Sequence, residues 1–298
     1  MLRVAFELGP CLLAGLWLGR QHPELPQRLA GPLLRWGMPI SLVALLLKAG
    51  LPSQLLPVAI FTAVLTTGGL LLSRCAPGSA LLFPRRSLQL GAIAGNTAYF
   101  GFPVAISLLP PEALSVSITF DLVGTLLTWS LGPLLLSAQH GPDWRSLLAN
   151  PVFKAALIAL PLGLSPWGEV LGQWLWIPAR LVLWLLLLLV GMRLALVLQQ
   201  LDPSSALRPR QLAPALAVKL LLLPLIALLA SQAMPLSLPL RQALVLQAAA
   251  PTAMSVLLLA EASQQKGREV IPAAQLVLWS TALSAVSVPL WYQLTGFS

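Results

Sequence analysis

Residues 94–110 read AGNTAYFGFPVAISLLP, and they lie inside an otherwise apolar run. Gly95, Asn96, Gly101 and Pro103 fall close together where only helix formers are expected. In hydrocarbon each unsatisfied backbone group costs several kcal/mol, so such a cluster persists only where protein or water re-satisfies the freed N–H and C=O groups. The stretch therefore predicts a helix interrupted at Pro103 beside a buried cavity.

The rest of the chain supplies the hydrocarbon setting. Hydrophobic residues make up 57% of the sequence, charged residues 9%, and the mean hydropathy is +0.85, whereas a water-soluble domain carries about 25% charged residues. The chain reads as an all-α polytopic membrane protein with the lipid bilayer as its surroundings. A net charge of +9 raises the question of nucleic acid, but the basic residues are scattered singly or in pairs between apolar runs. No basic stripe with interleaved aromatics is present, so no nucleic-acid partner is expected.

Catalysis and cofactors find no support. Cys11 and Cys75 cannot make a disulfide framework or a cysteine metal cluster. His22 and His140 stand alone in loops, and H-E-x-x-H, G-x-S-x-G and G-x-x-x-x-G-K-[ST] are all missing. The expectation is no enzyme, no ATP-driven pump, no metal and no cofactor. The start of the chain, MLRVAFELGPCLLAGLWLGR, lacks an A-x-A-like cleavage site and reads as a short first membrane helix.

A span needs about 20 mainly apolar residues. Segments 4–20, 31–49, 55–73, 87–108, 113–137, 151–166, 174–198, 212–232, 240–261 and 270–294 approach that standard. Lys and Arg in short loops set orientation. With the N-terminus outside, Arg20, Arg28, Arg74, Arg85, Arg86 and Arg268 fall at cytoplasmic ends, and only Arg3, Lys48, Arg180 and Arg241 stay outside. Both termini are thus expected on the non-cytoplasmic side of the cell membrane.

The prolines recur. Pro10 pairs with Pro151, Pro39 with Pro178 and Pro103 with Pro251, at similar separations. Five spans per copy is odd, so the second copy is expected upside down: residues 1–137 and 151–298 form two inverted five-helix repeats joined by a short cytoplasmic connection at 138–150. Inverted repeats with Pro/Gly-interrupted helices at matching places point to a secondary transporter and to its binding site.

Several short motifs then resemble the auxin efflux carrier family of plants and bacteria. Gly95-Asn96-Thr97 followed by Gly101-Phe102-Pro103-Val104 is similar to that family's fourth helix. Ile177-Pro178 with Leu189-Val190-Gly191-Met192-Arg193-Leu194 is similar to its seventh, Ala250-Pro251-Thr252-Ala253 to its ninth, and Asn150-Pro151 to the opening of its second half. The resemblance implies ten helices, broken helices four and nine crossing near the midplane, and elevator-type alternating access of a transport domain against a scaffold. The sequence departs from the plant carriers in its short central connection and in lacking an acidic residue around Ser53-Gln54, which removes the ground for plant-like proton chemistry.

The expected substrate is a small organic anion, such as a carboxylate or an auxin-like weak acid. Half-helix N-termini suit an anion and freed carbonyls suit a cation. Asn96, Thr97, Tyr99, Pro103, Gln247 and Pro251 are the candidate substrate-binding residues, with interhelical hydrogen bonding as the alternative role for the amides. Asp121 and Lys219 are charges within spans, which are costly there and are candidates for coupling. Lys219 has two open readings, an inward side chain facing a carboxylate or one snorkelling to the headgroups. A sodium-coupled symporter of the bile-acid type is the alternative function and a channel the remoter one, with room for a homodimer.

Overall fold

The computed structural model describes residues 2–49, 55–136, 151–200, 208–263 and 265–296; the expected connection at 138–150 and positions Ser53 and Gln54 lie outside them. Among the described residues the protein is helical throughout, with one isolated backbone bridge in place of any strand. The chain runs through α1 (Leu2–Gln21), α2 (Leu25–Pro32), α3 (Met38–Ala49), α4 (Leu55–Cys75), the short α5 (Ser79–Leu82), α6 (Arg86–Ile93), α7 (Phe102–Leu108) and α8 (Leu114–Leu136). It continues as α9 (Pro151–Gly163), α10 (Gly168–Gln200), α11 (Pro209–Ala217), α12 (Leu223–Gln232), α13 (Leu238–Ala249), α14 (Met254–Ala262) and α15 (Lys266–Gly296).

Among the described residues, six helices are long and apolar enough to cross a membrane: Leu25–Lys48, Leu55–Cys75, Pro111–Leu136, Gly168–Gln199, Pro209–Gln232 and Gly267–Gly296. The segments expected at 87–108 and 240–261 are each split into two helices too short to span alone.

Three helices are joined through a wide turn, and one proline rule explains all three. π-Helical turns at Leu33–Gly37, Thr97–Gly101 and Val218–Leu222 each precede a helix whose second residue is proline: Pro39, Pro103 and Pro224. A proline obstructs the carbonyl four residues earlier and has no N–H to offer it. Widening the turn moves that carbonyl aside: the N–H groups of Met38, Phe102 and Leu223 reach back five residues to the carbonyls of Leu33, Thr97 and Val218. The carbonyl left over by Pro224 is that of Leu220, and the Trp291 indole N–H donates to it at 2.8 Å. Other internal prolines, Pro133 and Pro178 among them, are held without such a turn.

This rule corrects the sequence expectation for Pro103. Pro103 does not break its helix; the run from Thr97 to Leu108 passes over it because the wide turn at Thr97–Gly101 accommodates its ring and missing N–H. The break lies earlier, at Ala94–Asn96, and the pairing of Pro103 with Pro251 is not the one the fold makes.

Small residues bring α1 and α10 into backbone contact. Gly15 and Gly19 are spaced as in GxxxG; a Cβ on Gly15 would lie 2.2 Å from the Leu188 carbonyl oxygen, and one on Gly191 would lie 2.4 Å from that of Leu12. Close approach of this kind is how membrane helices associate without a hydrophobic driving force. Helices α1, α3, α9 and α10 pack on one another, while α6, α8 and α11–α15 gather around the two interruptions. Glu269 of α15 ties the second group together at its edge, its buried carboxylate accepting the Ser87 N–H at the start of α6 at 2.8 Å.

Candidate functional site

The two interruptions meet. The Asn96 N–H donates to the Pro251 carbonyl at 2.6 Å, and the Ala253 N–H donates to the Ala94 carbonyl at 3.0 Å. Gly95 and Thr252 face each other at the centre of this antiparallel bridge. Each break therefore satisfies backbone groups freed by the other, as low dielectric demands.

Carbonyls at the ends of α6 and α13 still need donors. The Thr252 hydroxyl donates to the Gly91 carbonyl at 2.9 Å, and the Thr252 N–H is itself held by the Ser280 hydroxyl at 3.0 Å. Gly91 lies four residues before Gly95; Ala248 lies four before Thr252. At Ala248 the bridge partner is Gly95, which has no side chain to donate. Lys219 fills the gap: its ammonium donates to the Ala248 carbonyl at 3.1 Å, and a Cβ on Gly95 would stand only 3.0 Å from its Nζ. Lys219 is 1% exposed and points inward rather than snorkelling, and the group it meets is a backbone carbonyl in place of the expected carboxylate. The π-helical turn at Val218–Leu222 places it there.

The ammonium lines a small cavity of about 30 Å³ at the crossing. Thr66, Thr97, Thr125, Thr128 and Ser255 present hydroxyls around it. Space of this size holds about two waters, far below the several hundred Å³ of an organic-ligand pocket, so the centre is too narrow here for an organic acid. Two helical runs begin at that centre, at Thr97 and at Met254, and direct their N-terminal ends toward it.

Asp121 sits behind the hydroxyls, 1% exposed, on α8. Its Oδ1 accepts from the Thr97 hydroxyl at 2.5 Å and from the Thr125 hydroxyl at 3.4 Å. Its Oδ2 is buried with no hydrogen-bond partner.

The other candidates are dispersed around the crossing. The Asn96 backbone is part of the bridge and its carbonyl accepts from Phe100 and Gly101, while its side-chain amide has no hydrogen bond among the described residues. Gln247 is fully buried with both amide atoms unpaired, pressed against Gly101, where a Cβ would collide with it. Tyr99 lines a second small cavity with Arg193 and Met254. Pro103 lines a third with Arg180 and Trp184, and Pro251 contributes its carbonyl to the bridge. Of the six substrate-binding candidates, Thr97 alone lines the cavity that Lys219 enters.

Thr66, Thr125, Thr128 and Ser255 were not singled out from sequence, and Gly95 only as part of the helix interruption. For α8 the signal was present: Asp121, Thr125 and Thr128 fall at i, i+4 and i+7 and share one helix face. Among the described residues no three of His, Cys, Asp and Glu cluster as a metal site would need.

Among known proteins, the profile of a family described as membrane transport protein matches residues 140–292. That stretch contains Lys219, Gln247 and the second break, and begins after the first. No curated protein matches the chain.

Proposed function

Since the chain belongs to the membrane transport protein family, that of the auxin efflux carriers, and is thus a multi-pass membrane transporter, we propose that it moves a small organic anion by secondary, elevator-type alternating access. The reciprocal bridge between two interrupted helices carries this reading, with the Lys219 ammonium at its centre. An ammonium and two helix N-termini favour a carboxylate in a cavity whose remaining lining is hydroxyl and apolar. The absence of a P-loop from the sequence agrees with a gradient as the energy source.

The same bridge fits ten spans in two inverted repeats, residues 1–137 and 151–298, and the distribution of Lys and Arg favours both termini on the non-cytoplasmic side. An antiparallel contact in which Asn96 serves Pro251 while Ala253 serves Ala94 is what a two-fold axis in the membrane plane produces. The grouping of α1, α3, α9 and α10 on one side and the crossing helices on the other supports a scaffold and a moving body. A cavity of about 30 Å³ must widen to admit an acid, which is what motion of one body against the other provides.

A panel of organic acids, neutral analogues and amines tested on the purified protein by thermal shift decides the matter. A ligand present at about 100 times its Kd adds about 2.7 kcal/mol to stability. Carboxylates are expected to stabilise the protein, and stabilisation confined to neutral or cationic compounds would end the anion reading.

A further inference from the structure

We propose that Asp121, with the hydroxyls of Thr97 and Thr125, holds a small monovalent cation of sodium size, and that this cation binds together with the anion. The proposal rests in its second half on the anion reading above, whereas the cation site stands on its own geometry.

A carboxylate oxygen buried with no partner is among the most costly groups a protein can keep. Asp121 Oδ2 is in that condition although Oδ1 of the same carboxylate accepts from two hydroxyls. A hydroxyl that donates its hydrogen to a carboxylate still has lone pairs to offer. Thr97 and Thr125 can therefore bond Oδ1 and face a cation at the same time. The Gly95 carbonyl lies 3.5 Å from the Thr97 hydroxyl and adds a further oxygen from the unwound backbone. Oxygen ligands of this kind suit a hard cation. With a single carboxylate and no cluster of three His, Cys, Asp or Glu among the described residues, the charge matches a monovalent ion better than a divalent one.

Charge balance supplies the link to the anion. Lys219 and Asp121 do not pair with each other: the ammonium is bonded to the Ala248 carbonyl and the carboxylate to Thr97 and Thr125. Arg193, beside Tyr99 in the neighbouring cavity, is the other charge facing this region. A cation alone neutralises Asp121 and leaves the Lys219 charge unmatched in a low-dielectric space, and an anion alone neutralises Lys219 and leaves that of Asp121. Bound together they leave the sum unchanged. Each ligand thus raises the affinity for the other by the same factor.

The test uses the full-length protein in detergent at fixed pH and ionic strength, with sodium, potassium or choline chloride and no organic acid. Sodium is expected to raise the melting temperature in a saturable way that potassium and choline do not reproduce. Asp121→Asn should abolish the effect and Thr125→Val should weaken the apparent sodium affinity by about 10-fold. Direct binding of radioactive sodium to the Thr125→Val protein serves if the Asp121 variant does not fold. Equal stability in all three salts, or a sodium effect that survives Asp121→Asn, overturns the cation site; stabilisation by acid pH without any sodium effect does so as well and leaves Asp121 a proton site. Titration with the carboxylates found in the panel, with and without sodium, separates the two readings. Sodium binding without any carboxylate binding retains the cation site and ends the anion reading, while carboxylate affinity indifferent to sodium ends the coupling.

Discussion

The two breaks share a backbone and differ in chemistry. At the second, Ala250–Ala253, the hydroxyl and the N–H of Thr252 both have partners, the Gly91 carbonyl and the Ser280 hydroxyl. At the first, Ala94–Asn96, the matching residue is Gly95, the carbonyl that a side chain there would cap is capped by Lys219, and the Asn96 amide has no hydrogen bond among the described residues. Beyond the breaks the contrast continues, with Thr97 joined to Asp121 after the first and Met254 after the second. A satisfied polar group rigidifies and an unsatisfied one waits for a ligand. The contrast at Thr252 and Gly95 predicts that the second break acts as the anchor and the first carries the working groups.

Lys219→Met probes the contrast most strongly. Losing a hydrogen bond to a charged group costs about 1.5 to 3 kcal/mol, so anion affinity should fall by roughly 10- to 150-fold. The Ala248 carbonyl loses its donor at a cost of about 1 to 3 kcal/mol, which removal of a lone buried charge offsets, so the melting temperature should change little. Ligand titration and thermal shift on the same preparation check both. A lower melting temperature with unchanged affinity would make Lys219 a mere cap, and the two breaks alike.

Thr252→Val should do the converse. The substitution keeps the shape and removes the donor, leaving the Gly91 carbonyl buried without it at a cost of about 1 to 3 kcal/mol. Thermal or denaturant unfolding should show the loss, while the folded fraction binds anion as before. A large affinity defect without instability would move function onto the second break.

Asn96→Ala is the mildest of the three. A polar interhelical contact in a membrane protein is worth about 0.6 kcal/mol on average, and the Asn96 amide makes none among the described residues, so folding should be unaffected. Loss of one hydrogen bond to a bound carboxylate predicts about 10-fold weaker binding. Unchanged binding would confine Asn96 to its backbone role in the bridge.

Much of this was legible in the sequence, for reasons that particular residues show. Hydropathy located the helical segments, and the Gly95-Asn96 and Ala250-Pro251 clusters marked both interruptions because few other residues disturb an apolar run so sharply. Pro103 misled, since a proline reads the same whether it breaks a helix or begins one after a wide turn. Lys219 was ambiguous from sequence: its direction depends on the π-helical turn and on the space left by Gly95, a residue far away in the chain. The hydroxyls of Thr66 and Ser255 converge only through tertiary packing.

The bridge between the breaks also bears on how the protein is made. The Asn96 N–H and the Ala94 carbonyl have their partners at Pro251 and Ala253, far along the chain. A ribosome adding about 5 to 20 residues per second takes on the order of ten to thirty seconds to pass from one to the other. Throughout that interval the first interrupted helix lies in or beside the bilayer with these backbone groups unpaired, where each costs several kcal/mol. Biogenesis must therefore shelter this segment, against water, lipid headgroups or the insertion machinery, until the last third of the chain arrives to complete it.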